Sequence, residues 1–238
     1  MAAVSTFVVD EADIEPVHEE GDTATTRLTF EVEHLEQRVI RFGTGRSRDR
    51  SPAGRHDLLY VVAGRGELDL EGERHALEPG TGVFVAPGET YAVENPGPSE
   101  LLVVAVSAAA ELPVADDKRK TTVRFGDQSE HTASVERTFR YLINEDAGCL
   151  DVTQFMGIVQ PSKAPFHSHP YEELGYIVKG EGVAHVGGQS VPLRPGSCFH
   201  LPPEKVHCIE NVGPEPMHIL GVFHPSDSPA NRVYEDNN

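Results

Sequence analysis

The stretch DLLYVVAGRGELDLEGERHALEPG, residues 57–80, aligns without a gap with ELGYIVKGEGVAHVGGQSVPLRPG, residues 173–196. Asp57 stands against Glu173, an offset of 116, and the register runs on through VAPGETYAVENPGP and LPPEKVHCIENVGP. Shared residues include Leu58/Leu174, Tyr60/Tyr176, Gly64/Gly180, Gly66/Gly182, Pro79/Pro195, Gly80/Gly196, Asn95/Asn211 and Gly97/Gly213. Most are turn residues at matching places, so the chain is an internal duplication of a domain-sized unit. Runs such as LLYVVAG, GVFVAP, LGYIVKG and MHILGVF are short, rich in branched residues and bounded by Gly, Pro or Asn. Many short strands at regular spacing predict a sandwich or barrel in each copy.

The 238 residues suit one large all-β domain or two small ones, and Gly 22 with Pro 18 implies many turns. A formal net charge of −18 argues against binding nucleic acid or an anionic membrane surface. No apolar run is long enough to span a bilayer as a helix, and the N-terminal stretch lacks the basic start of a signal peptide. Cys149, Cys198 and Cys208 form no CxxC pair, so free thiols in a cytoplasmic protein are expected.

The second copy carries PFHSHPYEELGYIVKGEG, residues 165–182. Side chains two apart on a strand share a face, so His167, His169, Tyr171 and Glu173 point one way if the strand is regular. His207 follows on a different strand. Imidazoles with a carboxylate suit Fe, Mn, Ni, Co, Cu or Zn better than Mg or Ca.

These segments resemble the two cupin motifs. His167-x-His169-x3-Glu173-x6-Gly180 matches the first. Gly196-x5-Pro202-x-Glu204-x2-His207-x3-Asn211 matches the second, with Glu204 where the motif usually has glycine. The chain is thus similar to a bicupin, which implies an all-β fold of two tandem jelly-roll barrels. The boundaries read as an N-terminal arm, 1–25; an N-terminal barrel, 26–108; a linker, 109–135; a C-terminal barrel, 136–226; and a tail, 227–238. The resemblance implies that His167, His169, Glu173 and His207 bind one divalent transition metal, Fe, Mn, Ni or Zn. Subtracting 116 gives Ser51, Ala53, Asp57 and Tyr91 in the first copy, which is expected to lack a metal; His56 has the wrong parity to replace a ligand. That barrel is read as a structural partner of the other, and a homodimer is compatible with the sequence.

Tyr171 shares the ligand face and is the candidate catalytic side chain. One of Phe155 and Met156 should line the pocket. His185, His200, His218 and His224 lack motif support, and Cys208 should point away from the ligand face. Four protein ligands leave about two positions open on an octahedral ion, as a catalytic metal needs. The resemblance to dioxygenase members implies an oxygen-dependent enzyme acting on a small chelating metabolite. The alternatives are a Lewis-acid isomerase or hydrolase, similar to ureidoglycine aminohydrolase, and a non-catalytic small-molecule binder.

Overall fold

The computed structural model describes residues 6–234. Strands dominate, and the only helices among the described residues are four three-residue 3-10 turns. None is long and apolar enough to cross a membrane. The chain forms two tandem jelly-roll units. One comprises Ile14–Gln128 with Leu142–Asp151; the other holds, among the described residues, 6–13, Ser129–Tyr141 and 152–234.

In the N-terminal unit a seven-stranded sheet runs in the order Thr122–Arg124, Thr81–Val85, Arg55–Ala63, Leu101–Ala109, Leu35–Phe42, Ala24–Glu31 and Val17–His18. A four-stranded sheet holds Gly45–Arg46, Tyr91–Asn95, Gly66–Leu70 and Glu73–Leu77. Every ladder is antiparallel, and period-2 alternation sends Leu59, Val61, Leu68, Val83, Val93 and Val103 into one core.

The C-terminal unit repeats this plan. Its seven-stranded sheet runs Val8–Asp10, Ser197–Leu201, Glu172–Lys179, Met217–His224, Thr153–Val159, Arg137–Ile143 and His131–Ser134. The smaller sheet runs Gln189–Leu193, Gly182–Val186, His207–Asn211, His167–Ser168 and Val233–Tyr234, with Ser162–Lys163 also paired to His207–Asn211. Phe199, Leu201, Ile177, Val186 and Met217 fill one end of its interior. Phe139, Phe155, Tyr171 and Phe223 fill the other.

The repeated turn residues have repeated jobs. Asn95 Nδ2 donates to Phe42 O and Ser99 O, and its Oδ1 accepts from Gly97 N. Asn211 makes the same three bonds, to Val159 O, Glu215 O and Gly213 N. Gly64 and Gly180 lie at φ +86° and +89°, and a Cβ on either would come within 2.8 Å of the Cα of Leu101 or Met217. Only glycine satisfies both the backbone angle and the close approach.

The unit boundaries differ from those read in the sequence. Position 25/26 falls inside the strand Ala24–Glu31, and Val8–Asp10 of the expected arm is an edge strand of the C-terminal unit's sheet. The expected linker supplies Thr122–Arg124 to one unit and His131–Ser134 to the other. Residues 142–151 belong to the N-terminal unit, and the expected tail adds Val233–Tyr234 to the C-terminal one. Backbone pairing and burial decide these memberships, and neither leaves a local signature in composition. Residues 1–5 and 235–238 of the arm and tail lie outside the described residues.

Candidate metal centre

His207 opens the strand His207–Asn211 and lies directly opposite His167 in the antiparallel ladder. Glu173 sits on Glu172–Lys179 in the larger sheet, and His169 in the turn between. No regular strand spans 169–171, so shared parity is not what aligns them. His167, His169, Tyr171, Glu173 and His207 nevertheless line one cavity. The His167 and His207 rings are 4.5 Å apart between centroids, those of His169 and His207 4.9 Å. His169 Nε2 lies 3.2 Å from Glu173 Oε2. All four ligand candidates are buried.

The imidazoles share one hydrogen-bond pattern. Nδ1–H of His167 donates to Pro165 O at 3.1 Å, that of His169 to Tyr171 O at 2.7 Å and that of His207 to Lys205 O at 2.8 Å. Each bond fixes the tautomer that leaves a lone pair on Nε2. His169 Nε2 is buried and makes no directed hydrogen bond. Burial, then the neighbouring His207, pushes His167 down to about 3; burial, then His169, pushes His207 down to about 4. Both rings are therefore neutral at pH 7, the form that ligates metal. Three imidazole nitrogens and one carboxylate, with one nitrogen buried and without a directed hydrogen bond, fit a borderline transition ion.

The Tyr171 ring stacks on His169, at 4.2 Å and 11°, and on Phe223, at 4.0 Å and 17°. Its hydroxyl donates to Ser228 O at 3.3 Å, and burial, then the Glu173 charge, raises its pKa well above the usual phenol value. The Tyr171 ring thus packs on the His169 ring, and its phenol stays protonated at neutral pH. Phe155 lines the cavity and Met156 does not. Cys208 Sγ bonds Ala164 O outside the lining, His185 is held by Ser190 and Glu210, and His200 by Glu172.

Sequence reasoning missed Arg137 and Arg232, which also line the cavity. Arg137 is buried, and its Nη2 donates to Ile209 O. Burial first and Arg232 second lower its pKa to about 10. The parity of Arg137 with Phe139 was a usable signal; nothing local marks Arg232. Gly175 and Gly221 were missed too. They face each other across the ladder, and a Cβ on either would enter the ring of Phe199 or Phe155. The cavity has a volume of about 60 Å³, room for an anion of a few heavy atoms.

The first copy corrects one correspondence. Tyr91 is bridged to Arg50 as His207 is to His167. Glu94 likewise pairs with Arg46 as Glu210 pairs with Lys163. The loop before Asp57 is thus one residue longer, with Ala53 and Gly54 at positive φ, and Arg50, not Ser51, occupies the place of His167. Arg50 Nη2 donates to Asp22 at 2.6 Å, while Asp57 accepts from Tyr91 OH at 3.2 Å and from Ser107 Oγ. A guanidinium and a phenol thus take the places of His167 and His207, and neither offers a lone-pair nitrogen. Glu204, in the usual glycine place, has φ +59°, and its counterpart Gly88 has φ +86°. The turn needs the left-handed region in both copies.

The cupin domain family model matches residues 40–107 and 155–223. An oxalate-binding protein of Thermotoga maritima is 37% identical over 63 residues, 26% of this chain and 52% of that protein. The chain spans about half the length of the curated relatives it matches. Ylba from E. coli superposes with TM-score 0.77 at 13% identity, covering 93% of this chain and 91% of that one. A point mutant of Bacillus subtilis oxalate decarboxylase OxdC gives 0.76 at 15%, covering 98% and 80%. At these identities the structural likeness shows the fold, and the two family matches, one in each unit, show that the chain belongs to the cupin family as a bicupin.

Proposed function

We propose that the chain binds one divalent transition metal on His167, His169, Glu173 and His207. We further propose that it acts on a small carboxylate that chelates the ion, in an oxygen-dependent reaction. The observation that carries this is the convergence of three Nε2-free imidazoles and Glu173 on one cavity of about 60 Å³ that also holds two guanidiniums. When bound, such an ion supplies a Lewis acid and, for Fe or Mn, a redox centre. Backbone bonds orient the imidazoles, and Phe155, Phe199 and Ile219 keep bulk water away. Arg137 and Arg232 supply the positive potential that an anion seeks. An oxalate-binding protein among the relatives, and the Mn(II) centers of oxalate decarboxylase among the structural neighbours, agree with this chemistry.

Elemental analysis, then calorimetry with oxalate and short 2-oxo acids, tests the reading. Metal-loaded protein should bind at least one of these anions and turn it over in air but not under argon. Turnover indifferent to O2 replaces the oxygen-dependent part with Lewis-acid chemistry. Affinity without turnover makes the protein a binder. Metal-loaded protein without affinity for any carboxylate refutes the reading.

A further inference from the structure

Residues 225–234 leave the last strand of the larger sheet and cross to the smaller one. Asp227 organises the crossing: its carboxylate accepts from Ser228 N at 2.6 Å and from Asn231 Nδ2 at 2.7 Å. Thr153 Oγ1 donates to Asp227 O at 3.0 Å, and Tyr171 OH donates to Ser228 O. The segment then pairs Val233 with Ser168 and Tyr234 with His167, so it ends as a strand on the segment that carries a ligand candidate. That last pairing is slight: Val233 is 65% exposed and Tyr234 48%.

Between these anchors lie Pro229 and Arg232, both lining the cavity. Arg232 Nε donates to Pro229 O at 3.0 Å, which sets the side chain's direction. Among the described residues neither Arg232 nor Arg137 forms an ion pair, and each makes one hydrogen bond. Two guanidiniums thus face one small cavity with most of their donors unused. Among the described residues the one carboxylate lining this cavity is Glu173, a proposed metal ligand, and a further bidentate anion suits two guanidiniums brought together.

We propose that residues 225–234 form a strap that completes the site: Arg232, with Arg137, clamps the carboxylate of the bound anion, and the anion in turn holds the strap closed. The inference rests on the functional reading above, and adds which residue selects for charge and which segment must open for exchange. Arg232 here is a specificity residue, not a metal ligand. A neutral metal ligand gains nothing from it.

The test uses full-length, Mn-loaded protein as wild type, Arg232→Met and Arg232→Lys, with oxalate and the neutral metal ligand imidazole, at pH 8, as probes. All three should carry equal metal and bind imidazole within about twofold of one another. Arg232→Met should weaken oxalate by about tenfold or more, and Arg232→Lys should recover part of the loss. Oxalate should slow amide exchange across 226–234 in wild type and not in Arg232→Met. Oxalate affinity equal in wild type and Arg232→Met, with metal retained, overturns the strap assignment and leaves the functional reading standing. Wild type that holds metal yet binds no oxalate overturns both.

Discussion

At the residue scale, one pattern governs the site: a backbone carbonyl takes Nδ1–H of each imidazole, and Nε2 is left for something else. His169 shows this most plainly, with a buried Nε2 that makes no directed hydrogen bond. His169→Ala should therefore lose most bound metal by elemental analysis, whereas His185→Ala, which removes bonds to Ser190 and Glu210 outside the cavity, should keep it. Equal metal in wild type and His169→Ala would sink the assignment. The same burial makes a pH prediction for metal-free protein. The folded state holds His167 and His207 near 3 and 4, while the unfolded chain takes up protons near 6.5. Below that pH the unfolded state binds more protons, so stability is full above about 7 and falls as pH drops toward 4. The loss approaches about 1.4 kcal/mol per pH unit for each histidine. Urea titrations from pH 8 to 4 should show this slope, and it should shrink in His207→Gln.

At the element scale, glycines and asparagines shape the walls that side chains then fill. Gly175 and Gly221 leave the space taken by the rings of Phe199 and Phe155. Gly221→Ala should displace Phe155, costing about 1–3 kcal/mol and weakening anion binding, read by thermal melts and calorimetry. An unchanged melt would mean that the ring moves freely and the wall is not fixed. Asn211 ties two strands and a turn with three bonds, two of them buried, so Asn211→Ala should cost about 2–4 kcal/mol in urea unfolding. Asn95→Ala should cost a similar amount in the N-terminal unit, because its bonds repeat those of Asn211.

At the scale of the whole molecule, the duplicated halves exchange segments. The first residues of the chain serve the C-terminal unit: Val8–Asp10 pairs with Ser197–Phe199, Arg194 meets Asp10 at 2.7 Å, and Glu11 accepts from Tyr176 OH. Residues 142–151 serve the N-terminal unit. Deleting residues 1–13 should thus strip an edge strand from the unit that carries the candidate metal centre, although it lies more than a hundred residues away in sequence. A loss of about 5 °C or more in melting temperature is expected from the lost pairing and burial. A truncated protein that melts like wild type would show that the strand adds nothing.

Sequence alone determined the duplication, the all-β class and the four ligand candidates, because each is written locally. Turn residues such as Gly64 and Gly180 recur at one offset, and His167, His169 and Glu173 fall within seven residues. The tertiary structure decided what depends on pairing distant strands. It placed Arg50, not Ser51, opposite Tyr91, since one extra loop residue is invisible until the ladder is drawn. It brought Arg137 and Arg232 from opposite ends of the C-terminal unit to the cavity that His167 lines. It moved the N-terminal strand into the second unit. Local propensity carries no information about such partners: register, burial and the closure of each sheet choose them, and those act only once the chain has folded.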